Sequence, residues 1–472
     1  MCRRVFLLCV AFSLSFAATA QTVVAKRAIR YADIAPALRA HLKQLGVTEV
    51  TFDAYITSLN RRTAERETIG ENDHLIYYIL QSERFTRQPR IEPALSAAEF
   101  VRQLSAKEKS RYLGNTPPFP PVGKLPPAAA QRINDFIKAV KEPAPDERLA
   151  YFRRFLEREK PARESLFQYL FAQYVRAMRF LYDKEFVARE ISDPQHLSEL
   201  VAPLYQERGH STDTQIEANF AVYLALAVIK ETPAAAAPRQ LNSVLIVGPG
   251  LDFSPRTDLM DLFAPQSYQP FAIADALLGL KLSDPARLRI HCVDINDRVV
   301  NHLQQVSERQ PVRLSILSGV ADTDARPLSV EYKNYFQQLG QSIGTQSRLD
   351  QLPRRYERHL STSLLVRPDV AMMVSAEQLN VVTERADAST GYDLVIVTNV
   401  FPYFNTTELL LALSNIESIT GRGGYLIHNE PRPELFSLAK LQGLPVIQSR
   451  TVLIASGRGA PLYDGVWTHR KR

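Results

Sequence analysis

Residues 243–250 read Ser-Val-Leu-Ile-Val-Gly-Pro-Gly, and this stretch decides the fold of the C-terminal half of the chain. Val244 to Val247 form a continuous apolar run, which is typical of a parallel strand covered on both faces. Gly248 and Gly250 follow directly, and glycine tolerates a positive φ and lets a ligand approach the backbone closely. The stretch therefore predicts the first strand of a parallel sheet, followed by a turn that can bind a ligand.

Further strand-like runs follow this turn and alternate with helical segments. The predicted strands cover residues 243–247, 288–293, 379–383, 394–398 and 425–428, and residues 444–455 and 463–469 are predicted to form a closing antiparallel pair. Strands that alternate with helices imply right-handed crossovers and a doubly wound α/β sheet. Ligands of such sheets bind outside the carboxyl ends of the strands, so site residues are expected there.

The chain before residue 232 has helical periodicity instead. Apolar and aromatic residues within 166–182 recur at steps of three and four, which predicts one long amphipathic helix. Other helices are predicted around Phe152 and from Ile216, with residues 211–214 offering N-cap side chains. These patterns indicate an all-α N-terminal region whose aromatic stripes form its core.

Proline-rich breaks divide the chain. The predicted segments are a helical region over 25–114, a proline-rich linker over 115–128, a helical domain over 129–231, a second linker over 232–240 and the α/β domain over 241–472. Proline removes a backbone donor, so neither a helix nor a central strand persists through such breaks. We place the main domain boundary at 232–240, where the residue pattern changes abruptly.

The first twenty residues have the three parts of a secretory signal. Arg3 and Arg4 give a positive start, residues 5–16 are largely apolar, and residues 18–20 form a small-residue cleavage site. The apolar run is too short for a stable membrane span. We therefore predict a periplasmic or secreted protein, and the alternative is a mis-assigned start near Val23 in a cytoplasmic protein.

Composition excludes several classes of function. Hydrophobic residues make up 45% and charged residues 23% of the chain, as in ordinary globular proteins. The net charge of +7 is spread over 472 residues, and the dense basic run is confined to 469–472, so no nucleic-acid partner is predicted. Cys292 is alone once the signal is removed, so no cysteine-based metal site is predicted.

The second predicted strand ends in an acid. Asp294 follows the run 290–293, and a carboxylate in this place can accept both hydroxyls of a ribose. Its distance in sequence from Gly250 is longer than usual, so an insertion over about 252–269 is expected to loop out first. The alternative role of Asp294 is to cap a helix that begins at Asn296.

Four motifs now stand in order along the α/β domain. They are Gly248-Pro249-Gly250, Asp294, YDLVIVTNVFPYF over residues 392–404 and ITGRGGYLI over residues 419–427. Together they resemble the motifs of class I S-adenosylmethionine-dependent methyltransferases, the third being most similar to that of CheR-type chemotaxis-receptor methyltransferases. The final strand pair resembles the family's antiparallel hairpin. The resemblance implies a Rossmann-like methyltransferase domain that binds S-adenosyl-L-methionine through Gly248, Gly250, Asp294 and the adjacent Ile295.

Two positions depart from the family pattern. Ile246 stands where the family has an acid, and Asp252 stands where it has a third glycine. The resemblance makes Asp252 a candidate to contact the methionine amino group of the donor. It also implies an acid beside the adenine after the third strand, for which Glu384 and Asp387 are candidates and Asp387 is preferred because Ala386 and Ala388 leave room for a base.

Three polar residues follow the fourth and fifth strands, where the donor methyl group is expected. Asn399 and Tyr403 can orient a nucleophile by hydrogen bonding, and His428 can act as a general base. Asn399 is also a candidate to bind the cofactor. The alternatives are that Tyr403 packs and that His428 is a structural group held by its neighbours.

Two further segments have expected roles near this site. The polar residues 207–214 precede the first strand and suit either a lid over the cofactor or helix capping. Residues 314–373 separate the second and third strands and are expected at the mouth of the pocket, where they can determine specificity.

We therefore predict a methyltransferase that acts on an unidentified, small-molecule acceptor. One alternative is an aminopropyltransferase-like enzyme, which shares the fold and often lacks the acid at the position of Ile246. Another is a non-catalytic, exported nucleotide-binding module, which the signal segment favours because the methyl donor is made in the cytosol. A nicotinamide oxidoreductase fits less well, because residues 248–253 lack the last glycine of its motif.

Overall fold

The computed structural model describes residues 26–93, 125–161, 163–182, 205–206, 208–232, 240–306, 311–349, 352–386, 391–458 and 461–472. The predicted signal segment, Asp387 and most of the two predicted linkers lie outside these residues. Within the described ranges, no helix is long and apolar enough to cross a membrane.

The strands are named in chain order. They are β1 Lys26–Ala28, β2 Ser243–Val247, β3 Arg289–Asp294, β4 Val312–Ala321, β5 Gly344–Ser347, β6 His359–Val366, β7 Val374–Gln378, β8 Glu384–Ala386, β9 Tyr392–Val397, β10 Thr420–His428, β11 Val446–Ala455 and β12 Leu462–Arg470.

The helices are named in the same way. They are α1 Pro36–Gln44, α2 Phe52–Gln81, α3 Pro127–Lys141, α4 Glu147–Glu159, α5 Leu166–Tyr182, α6 Ile216–Glu231, α7 Gln269–Gly279, α8 Asp297–Val306, α9 Val330–Gln338, α10 Pro368–Ala371, α11 Thr406–Ile419 and α12 Pro433–Leu441.

Seven strands form the central sheet in the order β11-β12-β10-β9-β2-β3-β7. The five strands from β10 to β7 are parallel, whereas β12 runs antiparallel to β10 and to β11. From β2 the chain builds one side of the sheet through β3 and β7 and then crosses to β9 on the other side. The predicted doubly wound fold and its closing hairpin are confirmed, and the switch point between β2 and β9 marks where a ligand binds.

Alternating residues of β2 supply the two faces of the sheet. Val244 and Ile246 pack on one face, where α6, α7 and α8 cover them. Leu245 and Val247 pack on the other face, under α1, the first half of α2 and α11. Because both faces are covered, the strand is apolar throughout, as its sequence predicts.

The hydrophobic core crosses the predicted boundary at 232–240. Helix α6, which the sequence pattern assigned to the helical domain, packs in the core of the sheet. Strand β1 pairs with β8, and α1 packs against α11. The reason is that the apolar residues of these N-terminal segments cover faces of the sheet that would otherwise be exposed.

Helix α2 joins two cores. Its first half packs on the sheet, and its second half, with Leu75, Tyr78 and Ile79, packs against α3, α4 and α5 in a helical bundle. The predicted helix over 166–182 is confirmed as α5. The bundle is rich in aromatic contacts, including Tyr78 against Phe136 and Phe152. The aromatic stripes are therefore core, as predicted.

The predicted third strand is wrong. The observed third strand is β7, at 374–378, and residues 379–383 form a turn beyond its carboxyl end. Asn380 closes this turn: its Oδ1 accepts a hydrogen bond from the Val382 N–H at 3.0 Å, and its carbonyl accepts one from the Thr383 N–H at 3.0 Å. Leu379, Val381 and Val382 are buried in the turn, and their apolar character imitated a strand.

The long insertion between β3 and β7 builds a second, three-stranded antiparallel sheet. Its order is β4-β6-β5, and Leu314, Ile316 and Leu364 join it to the main core. The remaining predicted strands agree with observed ones to within a few residues, except that β10 begins earlier, at Thr420. Helix α6 begins as predicted at Ile216, but no side chain of residues 211–214 caps it.

Candidate active site

Two adjoining cavities lie at the carboxyl edge of the central sheet. The inner cavity has a volume of about 100 Å³ and lies over the ends of β2, β3 and β7. The outer cavity has a volume of about 870 Å³ and lies over the ends of β9 and β10, against the β11–β12 hairpin. Asn399 and Tyr403 line both cavities, as do Ser211, Asp213 and Thr214.

The glycine turn after β2 forms one wall of the inner cavity. Gly248 and Gly250 adopt φ values of +68° and +77°, which side chains other than glycine rarely adopt. The Gly248 N–H donates to the Val293 carbonyl at 2.8 Å, which fixes the turn against the end of β3. The glycines predicted to form a ligand-binding turn thus lie on the inner cavity.

Asp294 lies opposite this turn, together with Ile295. Its Oδ1 accepts a hydrogen bond from the Asn296 N–H at 2.9 Å, so the carboxylate also closes the turn that precedes α8. Burial raises the pKa of Asp294 to about 6. The carboxylate closes this turn and lines the inner cavity at the same time, so the turn-closing role leaves it accessible to a ligand.

A second carboxyl, missed by the sequence reasoning, faces the inner cavity from α2. Glu67 lines the cavity, and no described residue makes a hydrogen bond or ion pair with its carboxyl group. Burial raises the pKa of Glu67 to about 8, and the negative charge of Glu71 adds to the effect. At neutral pH the protonated Glu67 can therefore donate a hydrogen bond into the cavity. Only the three-dimensional packing of α2 brings Glu67 to this place.

His210 is a further inner-cavity residue with unsatisfied polar atoms. Both ring nitrogens are buried and have no hydrogen-bond partner among the described residues. Burial lowers the pKa of His210 to about 3, and the charges of Arg66 and Arg208 add to this effect. The ring is therefore neutral and offers one donor and one acceptor. Buried polar atoms without partners are uncommon, and His210 lines the inner cavity, so its nitrogens are candidates to bond a ligand there.

The end of β7 gives the inner cavity an apolar wall. Leu379, Val381 and Val382 line it. Glu384, a predicted adenine contact, lies elsewhere: its carboxylate accepts a hydrogen bond from the Asn380 N–H at 2.8 Å and lies 3.9 Å from the Lys26 Nζ. The prediction for Glu384 assumed that residues 379–383 form the third strand, which the structure contradicts. Asp387, the preferred candidate, lies outside the described residues.

Asp252 does not line the inner cavity. It is buried beside the outer cavity, and its Oδ1 accepts a hydrogen bond from the Thr214 N–H at 2.6 Å. Burial and the nearby charge of Asp213 raise the pKa of Asp252 well above its usual range. The predicted contact with a methionine amino group is therefore not supported by the geometry. Ile246 is fully buried in the core, so it contributes nothing to the cavity surface.

Residues 208–214, which we call the cover segment, lie across the glycine turn. The Leu251 N–H donates to the Thr212 carbonyl at 2.8 Å, and the Thr212 hydroxyl donates to the Leu251 carbonyl at 2.9 Å. A Cβ added to Gly250 would lie 2.5 Å from the Thr212 carbonyl oxygen. Contact with the cover segment is thus a second reason for glycine at this position. The cover segment therefore lies over the glycine turn, at the position predicted for a lid.

Helix α2 fixes the cover segment from the other side. Gly70 and Gly209 pack backbone against backbone, and the His210 N–H donates to the Arg66 carbonyl at 2.9 Å. The Arg66 guanidinium donates to the carbonyls of Arg208 at 3.0 Å and Tyr403 at 2.9 Å. The N-terminal helix therefore holds the cover in place over the end of the sheet.

A buried polar cluster beneath the cover completes this attachment. The Arg298 guanidinium donates to the Thr212 hydroxyl at 2.8 Å and lies 3.3 Å from the Glu71 carboxylate. Glu71 also accepts hydrogen bonds from Asn296, at 2.6 Å, and Tyr151. The Glu71 pKa is lowered because the Arg298 charge and these bonds outweigh burial. Residues of α2, α4 and α8 are thereby linked to the cover segment.

Asn399 occupies the junction of the two cavities in a strained conformation, with φ at +59°. Its N–H donates to the Asn429 Oδ1 at 2.8 Å, and its Oδ1 accepts from the Asn429 Nδ2 at 2.8 Å. The same Nδ2 lies 3.5 Å from an oxygen of Asp464. Asn429 and Asp464, both missed by sequence reasoning, fix the predicted residue in place.

Tyr403 also lies at the junction, as predicted. Its hydroxyl accepts a weak hydrogen bond from the Ser211 N–H at 3.3 Å. Its ring contacts His210 edge-on at 5.3 Å, and the Arg66 guanidinium lies over it at 5.7 Å. Burial raises the Tyr403 pKa, so the hydroxyl stays protonated. The residue therefore holds the cover segment and shapes the cavity wall.

His428 does not reach either cavity. It is fully buried, its Nε2 lies 2.8 Å from the Nε2 of His469, and its Nδ1 accepts a hydrogen bond from the Glu430 N–H at 3.1 Å. Burial holds its pKa well below the usual range. The geometry contradicts the predicted general base, because both ring nitrogens are engaged inside the core. The structural alternative is the correct one.

The outer cavity is walled by polar and aromatic residues from five parts of the chain. Its aromatic residues include Phe253, Tyr463 and Trp467. The insertion over 314–373 does not line it and instead borders a small neighbouring cavity of about 50 Å³. Specificity for a ligand in the outer cavity therefore depends on the hairpin and the cover segment, and the predicted role of the insertion is not supported.

No protein-family model and no curated protein matches the sequence. Among solved structures, the N-methyltransferase NodS from Bradyrhizobium japonicum WM9, in complex with S-adenosyl-L-homocysteine, is similar at 10% identity over 53% of this chain and 85% of its own, with a TM-score of 0.26. The magnesium protoporphyrin IX methyltransferase ChlM from Synechocystis PCC 6803, with bound SAM, is similar at 10% identity over 54% and 79%, with a TM-score of 0.26. These scores are low, and the α/β fold is established by the strand order of the chain itself.

Proposed function

We propose that the chain is an S-adenosyl-L-methionine-dependent methyltransferase. The observation that carries the proposal is the inner cavity, in which the positive-φ glycine turn, the Asp294 carboxylate and an apolar wall meet at the switch point of the sheet. The four sequence motifs resemble those of class I methyltransferases, and the strand order ends in the antiparallel hairpin that this resemblance implies. Both observations support the proposal. The similarity of residues 392–404 to CheR-type enzymes is part of that resemblance.

The residues present fit the adenosine part of this cofactor. A carboxylate such as Asp294 can accept both ribose hydroxyls, and Leu379, Val381 and Val382 offer an apolar surface for the base. The unpartnered nitrogens of His210 and the carboxyl group of Glu67 are available for the remaining polar atoms. A ligand that bears hydroxyl, ring-nitrogen and amine groups would satisfy these atoms.

Binding requires movement of the cover segment. Sites for ligands of this size commonly have volumes of about 300–1,000 Å³, whereas the inner cavity has about 100 Å³. The cover segment, which includes Thr212, is the wall with few apolar side chains and is attached mainly by hydrogen bonds. We infer that it opens to admit the cofactor and then closes over it, as lids do in other enzymes.

The chain supplies alignment and exclusion of water for the reaction. S-adenosyl-L-methionine, when bound, provides an electrophilic methyl group whose leaving thioether needs no acid. Asn399, fixed by Asn429, is placed to orient the nucleophile of an acceptor in the outer cavity. The cover segment and Tyr403 separate the reacting groups from bulk water.

Isothermal titration calorimetry on the full chain tests this proposal. We expect S-adenosyl-L-methionine to bind with a Kd in the micromolar range and NAD to give no heat. Tighter binding of decarboxylated S-adenosylmethionine would favour the aminopropyltransferase alternative. Absence of heat with all three ligands would leave a non-catalytic module and would overturn the proposal.

A further inference from the structure

We propose that the outer cavity binds an acceptor that carries a protonated amine and that the amine nitrogen is the atom methylated. This inference rests on the proposed function, since it names the acceptor class of the same site. Three observations carry it: accessible aromatic rings on the hairpin, a carboxylate without a basic side-chain partner, and arginines whose N–H donors are partly engaged.

Aromatic residues line the cavity. Trp467 and Tyr463 lie on the hairpin strand β12, whereas Tyr205, Phe253 and Tyr403 are also in the wall but already have arginine guanidinium groups over their rings. The indole ring of Trp467 covers Gly465 and stacks on the buried ring of His428 at 5.7 Å. Tyr463 is 58% exposed, so its ring is accessible. Aromatic faces attract cations, most strongly where the site excludes water.

Carboxylates stand beside these rings. Asp464 follows Tyr463 on β12, and its described partners are neutral: the Gly465 N–H at 2.8 Å and the Asn429 amide at 3.5 Å. Across the cavity, Asp213 keeps 49% of its side chain exposed, and its nearest basic group is the His74 ring at 3.7 Å. Asp464 has no lysine or arginine partner among the described residues, whereas His74 and the nearby Arg298 stabilise the charge of Asp213 and lower its pKa against the effect of burial. A cationic ligand would therefore find its uncompensated negative charge at Asp464.

A third acid supplies a buried acceptor atom without a donor. Glu430 lies in the cavity wall with 5% of its side chain exposed, and its Oε1 pairs with the Arg432 Nε at 3.3 Å. Its Oε2 is buried and has no hydrogen-bond partner among the described residues. Leaving such an acceptor unpaired costs free energy, so a ligand N–H donor that reached this oxygen would be stabilised.

The arginines of the cavity do not make it a site for anions. Arg432 donates to the carbonyls of Phe404 at 2.9 Å and Phe401 at 2.7 Å, and Arg256 donates to the carbonyl of Gly319. Arg208 lies over the ring of Phe180 at 4.5 Å. These guanidinium groups keep their positive charge, but Arg432 pairs with Glu430 and donates to two carbonyls, and Arg256 donates to Gly319, so fewer of their N–H donors remain for an anionic ligand.

The Asp464 carboxylate of the cavity wall can take part in the methyl transfer to an amine. The acceptor ammonium gives one proton to the Asp464 carboxylate, which frees the nitrogen lone pair. The nitrogen then forms a bond to the methyl carbon while the methyl–sulfur bond breaks and the sulfur keeps the electron pair. Burial raises the Asp464 pKa, which makes this carboxylate a better proton acceptor. The positive charge passes from sulfur to the methylated amine.

Matched indole compounds test the acceptor class. Tryptamine, tryptophol and indole-3-propionic acid differ only in an amine, a hydroxyl or a carboxylate at the end of the same side chain. Each is titrated into the full chain saturated with S-adenosylhomocysteine, after S-adenosylmethionine binding has been measured alone. We expect tryptamine to bind at least tenfold more tightly than tryptophol, with the acid weakest, and mass spectrometry to detect N-methyltryptamine when the methyl donor is present.

Variants separate this inference from the proposed function. Asp464→Asn is expected to remove the preference for tryptamine and leave cofactor affinity intact, whereas Asp369→Asn, at an exposed position of α10, changes neither. Equal binding of the three compounds, stronger binding of the acid, or no binding of any would overturn the amine assignment while the cofactor still binds. Loss of cofactor binding in the unmodified chain would instead overturn the proposed function.

Discussion

The inner and outer cavities share Asn399 and Tyr403, yet they are built differently. The inner cavity is closed by α2 and the cover segment, which come from the N-terminal region, and its volume is about 100 Å³. The outer cavity is bounded largely by strand ends and the C-terminal hairpin, and its volume is about 870 Å³. The N-terminal region thus closes the inner cavity, the proposed cofactor site, and supplies only part of the wall of the larger outer cavity.

The largest expected effect concerns the inner cavity alone. Asp294→Asn keeps the shape of the side chain but removes the charge that would bind two ribose hydroxyls. We expect a loss of about 100-fold in S-adenosylmethionine affinity, because hydrogen bonds to charged groups contribute about 1.5–3 kcal/mol each. Calorimetry measures this loss.

The same variant should not reduce stability. Burial raises the Asp294 pKa, so the ionised carboxylate destabilises the folded state at neutral pH, and its removal should hold or increase the Tm. Asp369→Asn, the same substitution at an exposed position, serves as the control. Unchanged cofactor affinity in Asp294→Asn would show that the inner cavity does not bind ribose.

The next effect tests the contact between cover and glycine turn. Gly250→Ala places a Cβ against the Thr212 carbonyl, in a backbone conformation with φ at +77°. We expect the cover segment to shift and cofactor affinity to fall at least tenfold. Gly46→Ala is the matched control, since Gly46 has the same φ and no atom within 4 Å of the added Cβ.

Both alanine variants should lose about 1–2 kcal/mol of stability from the positive φ. Only Gly250→Ala should also lose cofactor affinity and gain hydrogen exchange in residues 208–214. If both variants bound the cofactor equally well, the cover segment would have no part in binding.

A smaller effect is expected from pH. Asp294, with its pKa raised to about 6, must be ionised to accept the ribose hydroxyls, so affinity should fall as the pH drops through 6. Between pH 7 and pH 5 the expected loss is about tenfold, since about a tenth of the carboxyl remains ionised at pH 5. Calorimetry across this range should give a flat profile for Asp294→Asn.

Glu67 sharpens the same measurement at high pH. Its pKa is raised to about 8, so above pH 8 it becomes negatively charged beside Asp294 and affinity should decline again. Glu67→Gln should abolish this decline and leave the one near pH 6 unchanged. A loss of cofactor affinity near pH 6 that persisted in Asp294→Asn as well as in Glu67→Gln would contradict the assignment of the two carboxyl groups.

The smallest effect concerns the attachment of the cover. Thr212→Val removes the hydroxyl that bonds to the Leu251 carbonyl and to Arg298. We expect a loss of about 1–2 kcal/mol in the free energy that keeps the cover closed, and several-fold faster hydrogen exchange in residues 208–214. Thr57→Val, at an exposed position of α2, removes only a bond to the carbonyl of its own helix and should leave exchange in the cover unchanged.

The two cavities also differ in how far sequence could predict them. The glycine turn, Asp294 and Asn399 were predictable because each follows an apolar strand, and the ends of parallel strands meet at one edge. Glu67 and His210 were not, because nothing in a helical pattern specifies which face of α2 covers which strand end. Their place depends on long-range packing of the N-terminal helix on the sheet.

The errors have the same physical origin. Residues 379–383 imitated a strand because they are apolar and buried, but Asn380 turns the chain there. His428 follows a strand and has the chemistry of a base, yet the antiparallel partner β12 brings His469 against it and buries both rings. Local pattern identified the elements, and tertiary pairing decided which side chains reach the cavities.

The most direct test of the account is a crystal structure of the full chain with bound S-adenosylhomocysteine. We predict that the Asp294 carboxylate contacts both ribose hydroxyls, that Glu67 and His210 make hydrogen bonds to the ligand, and that residues 208–214 have moved to accommodate it. A ligand bound elsewhere, with the Thr212–Leu251 hydrogen bonds intact and no density beside Asp294, would contradict the account.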